Sequence, residues 1–403
     1  MIHGYQKIYS GFLTTVFTAG VFANDSIVFK PVVGGTEKQE TLPSLSTSER
    51  WSNWCGVRVE HSTRVDPTKS SIKSYYTITD GQRFAGVFEL DNAKLSWRNN
   101  TLQSVVVDLE QTQSIGTLHI GMLDTIQKDS VLLVNSDQFD GFIESIDTTT
   151  GVALQTTTPG TTANEQPQKQ LTNIPIHRIV EIRLATKVKQ PTGWRFWLTD
   201  GSVIDVDSWS NDINKCNLIN PHLVPEIQGV KVFWSDVLSI APNSKTITAL
   251  ANCPWRTTGN PALPSPRLSP PTIQPMVQPA AFDAITLSVH GPGVFEFSTP
   301  QTKSTFSASL SLPGQLKNVI DCQITIECAG KVLWQKKVTS EFQTTPIQIP
   351  VDGNEITFRL DESKHGALGC AILITDAIFI SDLCGTPPQP IHHPPSAPIK
   401  SDL

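Results

Sequence analysis

Between residues 282 and 381 no apolar segment outlasts a single strand, and each one ends in a turn. Ala284–His290 runs into Gly291-Pro292-Gly293, and Val294–Phe297 alternates after it. Phe306–Leu312 alternates again. Cys322–Cys328 meets the turn Ala329-Gly330, and Lys331–Gln335 returns from it. Ile347–Ile349 and Ile356–Leu360 flank Asp352-Gly353, and Cys370–Ile374 leads to Asp376–Phe379. Apolar residues recurring at period two, cut by Gly, Pro and Asp, specify strands. Eight or more such strands in ~100 residues fit a β-sandwich or jelly roll, with no helix required.

The first half repeats a smaller pattern. Tyr76–Gly81, Leu132–Asp137 and Phe196–Gly201 are each an apolar strand followed by a polar or Asp-Gly turn, a hairpin signal. Each copy closes alike: Val107-x-Leu109, then Ile115; Ile174-x-Ile176-x-x-Ile179-x-x-Ile182; Val232-x-Trp234-x-x-Val237-x-x-Ile240. The change of offset from two to three predicts a turn, or one turn of 3₁₀ helix, before a final short strand. The pattern resembles the Asp-Gly-containing repeats of exported bacterial proteins, with Asp80-Gly81 and Gly86 in the first copy and Pro175 in the second. It also resembles a small Sm-like or SH3-like barrel. Such barrels are scaffolds or contact surfaces and name no chemistry by themselves.

These readings divide the chain. Residues 1–23 read as a signal peptide, with the apolar run Gly11–Ala23 too short for a permanent anchor. Residues 24–73 are an extension with one or two strands. Repeats follow at 74–121, 122–188 and 189–243. Eight prolines between Pro254 and Pro279 predict a semi-rigid extended linker over 244–281. The sandwich occupies 282–381, and a Pro-rich disordered tail 382–403. The expected fold class is therefore all-β, with small Sm/SH3-like barrel repeats, a Pro-rich linker and a jelly-roll sandwich.

Net charge is −6 and no Lys/Arg run is interleaved with aromatics, which argues against nucleic acid. Seven cysteines are an odd number, so at least one is free or pairs outside the chain. Cys322 and Cys328, if on one continuous strand, lie ~20 Å apart and cannot bridge each other. Neither a CxxC pair nor a Cys/His spacing points to zinc; no cofactor is expected, and any metal site stays unassigned.

Over the sandwich the order of elements resembles the NPCBM carbohydrate-binding module. Val289-His290-Gly291, Phe306–Leu310, Gly330–Trp334 and Ile347–Leu360 match its successive elements, and Gly369 and Asp376-Ala377 match the ends of its last one. The match departs at Ala329, where the family has an acidic turn residue, and at Cys370–Ile374, an apolar run where it has polar and aromatic groups. The resemblance implies a sugar site. A sugar needs an aromatic face beside a few polar groups. Trp334 and His290 are the candidates it offers, and His365 is a further rim residue. Each has a plain alternative: a packed strand-end aromatic, a hydrogen-bonded turn histidine and a solvated loop. Asp108/Glu110 and Asp205/Asp207 are acids at strand spacing and read as polar strand faces rather than a glycosidase pair. The expected function is a non-catalytic, exported glycan- or polysaccharide-binding protein of the cell envelope, periplasmic or at the cell surface, with no membrane anchor after leader removal. The alternative is an envelope scaffold that binds proteins.

Overall fold

The computed structural model describes residues 27–32, 55–61, 74–91, 94–99, 101, 103–116, 126–147, 150–158, 168–212, 215–221, 229–242, 246–259, 271–314, 320–361 and 369–381. The expected leader, His365, residues 260–270 of the Pro-rich stretch and the C-terminal tail lie outside the described residues. The fold is all-β. Among the described residues the helical elements are 3₁₀ turns of three residues, and no helix is long and apolar enough to cross a membrane.

The N-terminal extension supplies β1 (Ile27–Pro31) and β2 (Val57–His61), which pair with each other. The first of three segments holds β3 (Tyr75–Ile78), β4 (Arg83–Ala85), β5 (Val87–Asp91), β6 (Lys94–Asn99), β7 (Gln103–Val106) and β8 (Thr112–Gly116). The second holds β9 (Asp129–Leu133), β10 (Gln138–Asp147), β11 (Gly151–Thr158), β12 (Gln168–Ile174) and β13 (Ile179–Arg183). The third holds β14 (Trp194–Leu198), β15 (Val203–Asp212), β16 (Lys215–Pro221), β17 (Gly229–Phe233) and β18 (Val237–Ala241).

In all three segments the last strand returns to pair with the first: β8 with β3, β13 with β9, β18 with β14. The 3₁₀ turns Ile176–Arg178 and Trp234–Asp236 stand where the apolar offset changes, directly before β13 and β18. In the first segment a turn closed by Gln111 N–H donating to Asp108 O replaces them. The turn after each first strand also carries one set of bonds. Gly81, Ser136 and Gly201 donate N–H to Ile78, Leu133 and Leu198 O. Those three turn residues have φ of 81°, 69° and 88°.

The first and third segments meet through these turns about a local twofold. Tyr75 Oη donates to Asp200 O at 3.1 Å, and Arg195 Nη2, at the equivalent position, donates to Asp80 O at 2.9 Å. Ala85 N–H donates to Ser202 Oγ, and Asp205 N–H donates to Gln82 Oε1. Pairing of β4 with β15, β13 with β8 and β18 with β2 extends this into one fifteen-stranded sheet. Its apolar side forms a first core around Tyr76, Trp97, Phe196, Trp209 and Trp234.

The sandwich holds β19 (Ile247–Ala249), β20 (Trp255–Gly259), β21 (Thr272–Met276), β22 (Thr286–His290), β23 (Gly293–Ser298), β24 (Lys303–Ser311), β25 (Asp321–Cys328), β26 (Lys331–Thr339), β27 (Thr345–Asp352), β28 (Glu355–Leu360) and β29 (Ala371–Ser381). One sheet has the order β21-β22-β29-β24-β27, with β19 also on β29; the other is β20-β23-β28-β25-β26. A second core of Phe295, Phe297, Phe306, Phe358 and their neighbours lies between them.

The expectation of an extended linker over 244–281 fails for its described residues. β19, β20 and β21 belong to the sandwich sheets, and Leu250, Cys253 and Ile273 belong to its core. Proline is excluded from central strands but tolerated at edges. β20 and β21 are both edge strands, and Pro275 sits exposed in β21.

A third apolar cluster joins the two halves. Cys55, Trp197 and Leu238 from one side meet Ile247, Phe282, Ile378 and Ile380 from the other. Phe282 is the wedge. Its ring meets Trp197 edge-on at 5.2 Å, and its N–H donates to Ser239 Oγ at 2.9 Å. Arg83–Asp283 at 2.7 Å and Arg58–Asp376 at 2.5 Å flank it. The halves are therefore packed together rather than spaced apart.

Candidate functional site

His290 ends β22, half-buried, with Nε2 2.9 Å from Ser288 Oγ. It pairs with Thr272 on one side and Ala371 on the other. The chain then turns through the cis Gly291-Pro292 bond, and Gly291 N–H donates to Cys370 O at 2.8 Å. At the same end Asp361 leaves β28. Its N–H donates to Gln323 O, and its own O lies 3.2 Å from Cys370 Sγ. His290 and both ends of the segment that contains His365 thus share one rim of the sandwich. His365 itself is outside the described residues.

Trp334 is elsewhere. It lies on β26, an edge strand of the opposite sheet, and its cross-strand partner is the fully buried Ile326. Directly paired residues share a face, so the indole is on the core-facing side, half-buried against the second core. This is the packed-aromatic arrangement. The pairing brings His290 to the segment of His365 and leaves Trp334 apart.

The acids that looked like pairs are structural, and two details of that reading need correction. Asp108 and Glu110 do not share a strand face: they sit in the turn after β7, where Asp108 accepts Glu110 N–H and Gln111 Nε2–H. Asp205 is not on a polar face: it is fully buried and grips Arg195 bidentately at 2.6 and 2.7 Å. Burial disfavours the Arg195 charge, and Asp205 more than offsets it, so the guanidinium is held above its ordinary range. Among the described residues no group of three or more His, Cys, Asp or Glu could hold a metal ion.

Two exposed aromatic sites were not singled out in the sequence. Trp255, 46% exposed, begins edge strand β20; its place in the Pro-rich stretch hid it. Phe142 is 61% exposed on β10, and Leu171, 55% exposed, stands two strands away on β12, with Gln155 between them. Gln155 Nε2 donates to Glu144 Oε1 at 3.0 Å beside them. The adjacent pair Phe142-Ile143 is the signal: alternation forces one of two neighbouring apolar residues outward, and Ile143 is the buried one.

Cys55 is disulfide-bonded, while Cys216, Cys253, Cys322, Cys328 and Cys370 are free and buried. Cys384 lies outside the described residues. Burial pushes the Cys253 thiol up to about 12 and raises that of Cys216 as well.

No family model and no curated protein matches the chain. Among solved structures it is similar to a CBM51 module from a Clostridium perfringens GH95 protein in complex with methyl-galactose. Identity is 10% and the TM-score 0.27, over 33% of this chain and 99% of that one. It is also similar to the tandem CBM51 modules of a family 98 glycoside hydrolase from Streptococcus pneumoniae, at 10% identity and TM-score 0.26, over 73% and 88% of the two chains. Of a Clostridium perfringens structure of CBM51-2 and INT domains it spans only 44%. Likenesses at this level transfer neither ligand nor residue.

Proposed function

We propose that the protein is an exported, non-catalytic glycan-binding protein of the cell envelope, with its sugar site at the His290 rim of the sandwich. One observation carries the reading. The elements of the NPCBM resemblance fall on successive strands or the turns that join them: His290 at the end of β22, Phe306–Leu310 in β24, Gly330–Trp334 entering β26, Ile347–Leu360 across β27 and β28, and Asp376-Ala377 in β29. The rim offers a half-buried imidazole beside a serine hydroxyl, groups suited to sugar hydroxyls. The three repeats, read as Sm/SH3-like barrels, serve as a platform for the sandwich, and the leader-like residues 1–23 support export.

The test is a glycan array followed by titration calorimetry on the full-length protein. Wild type binds, and His290→Ala, with unchanged circular dichroism, weakens binding about tenfold or more. Trp334→Ala acts through stability rather than through contact. Absence of binding at millimolar glycan overturns the reading.

A second reading has its own observation. The exposed Phe142–Gln155–Leu171 row on β10–β12 favours a protein-contact scaffold for the N-terminal half. Glycan-independent retention of the full-length protein on isolated envelopes, lost in Phe142→Ser, supports it. Retention unchanged in Phe142→Ser rules it out.

A further inference from the structure

Two free thiols lie against each other beneath the His290 rim. Cys322 is the second residue of β25, in one sheet. Cys370 directly precedes β29, in the other. Each is 1% exposed, and their side chains are hydrogen-bonded to each other. The backbone holds them there from both sides. Ala371 N–H also reaches Cys322 Sγ. Asp361 N–H donates to Gln323 O, next to Cys322, while Asp361 O is a second acceptor for the Cys370 thiol at 3.2 Å. Gly291 makes room, since a Cβ there would stand 2.8 Å from Cys370 Sγ. Sulfurs in hydrogen-bond contact need only a short approach to reach the ~2.05 Å of an S–S bond.

We propose that Cys322 and Cys370 form a disulfide that clamps the two sheets of the sandwich together at this rim. The bond closes while the sandwich folds, because in the packed state both sulfurs are shielded. The oxidant is a small or protein disulfide. Before the sheets close over it, the Cys322 thiol loses its proton and attacks one sulfur of that disulfide, releasing the other as a thiol. The Cys370 thiolate then displaces the first sulfur. One S–S bond forms and one breaks; the protein gives up two protons and two electrons, and the oxidant becomes two thiols. The cross-link ties β29, which begins at His290's partner Ala371, to β25, and it fixes the C-terminal foot of the segment carrying His365.

The experiment uses full-length protein refolded in vitro with a mixture of reduced and oxidised glutathione, so neither export nor sugar binding enters the result. Free thiols are alkylated in denaturant, and the digest is read by mass spectrometry without reduction. The expected result is one Cys322–Cys370 linked peptide pair, two hydrogens lighter than the free peptides. Cys216, Cys253 and Cys328 remain alkylated. The oxidised protein melts on the order of 10 °C above the reduced one. Cys322→Ala and Cys370→Ala each abolish that redox-dependent increment. Alkylation of both Cys322 and Cys370 in the refolded wild type overturns the proposal, as does their linkage to other cysteines. The wild-type readout stands even where a variant fails to fold.

Discussion

Asp80 and Asp200 hold the same place in two related turns but differ in what surrounds their second carboxylate oxygen. Asp80 accepts the Gln82 N–H on one oxygen and the Gln82 amide on the other, at 3.0 and 2.9 Å. Asp200 accepts Ser202 N–H at 2.7 Å, but its Oδ2 is buried without a hydrogen-bond partner. The Ser202 and Asn99 side chains lower the Asp200 carboxyl, but by less than burial raises it. Burial accordingly raises the Asp200 carboxyl above its ordinary value of 3.8. The sign follows from linkage. Below 3.8 the group is neutral in both states. As pH rises, the unfolded chain ionises first, so stability falls until the folded group ionises too. Asp200→Asn removes that fall. Urea melts of both proteins from about pH 3 to about pH 7 should show the variant gaining stability relative to wild type as pH rises. A difference that stays constant with pH would refute the assignment.

At the scale of elements, glycine identity matters most where one strand crosses another. Gly86 separates β4 from β5, and a Cβ there would overlap Arg98 O and stand 2.7 Å from Trp97 Nε1. Gly141 holds the same position in β10, against Gln155 O. Gly81 has a left-handed φ of 81° but open space, with Arg195 Nη1 3.7 Å away. Backbone atoms cannot step aside as a side chain can. Gly86→Ala should therefore cost about 3 kcal/mol, against about 1 kcal/mol for Gly81→Ala, measured by denaturant unfolding. The reverse order would contradict the packing account. β29 shows the same dependence on what lies across the chain. Ile372, Ile374, Ala377 and Phe379 face the sandwich core, while Ile378 and Ile380 face the cluster shared with the N-terminal half. A strand covered on both faces reads as a continuous apolar run. That explains the run Ala377–Ile380.

For the whole molecule, the boundary at residue 282 is not a place to cut. A fragment of residues 282–381 lacks β19, β20 and β21 and the core residues Leu250, Cys253 and Ile273. It also leaves Phe282, Ile378 and Ile380 uncovered. It should be unfolded or aggregated by circular dichroism and size exclusion, whereas the full-length protein should unfold in one cooperative transition. A monomeric fragment with native β signal would show the junction to be dispensable. The Phe282 wedge explains why: with φ of 58° at both Phe282 and Asp283, the conformation persists only because Trp197, Ser239 and Arg83 hold it.

What the residues alone determined was local. Period-two alternation, Asp-Gly turns and the shift of apolar offset marked the hairpins of the repeats, the 3₁₀ turns at Ile176 and Trp234 and most sandwich strands, because each depends on neighbours a few residues away. The end of β22 at His290 was legible from the Gly-Pro-Gly turn that follows it. Tertiary structure decided the rest. Pro275 became an edge-strand residue, and the stretch after Pro254 became edge strand β20, only because β22 and β23 lie beside them, and Trp334 turned inward because its partner is Ile326. Asp108 was claimed by its own turn, and Asp205 was buried against Arg195 on the neighbouring strand β14. Pairing and burial of this kind leave no periodic trace, since they are set by what the folded chain brings across, not by the apolar spacing along it.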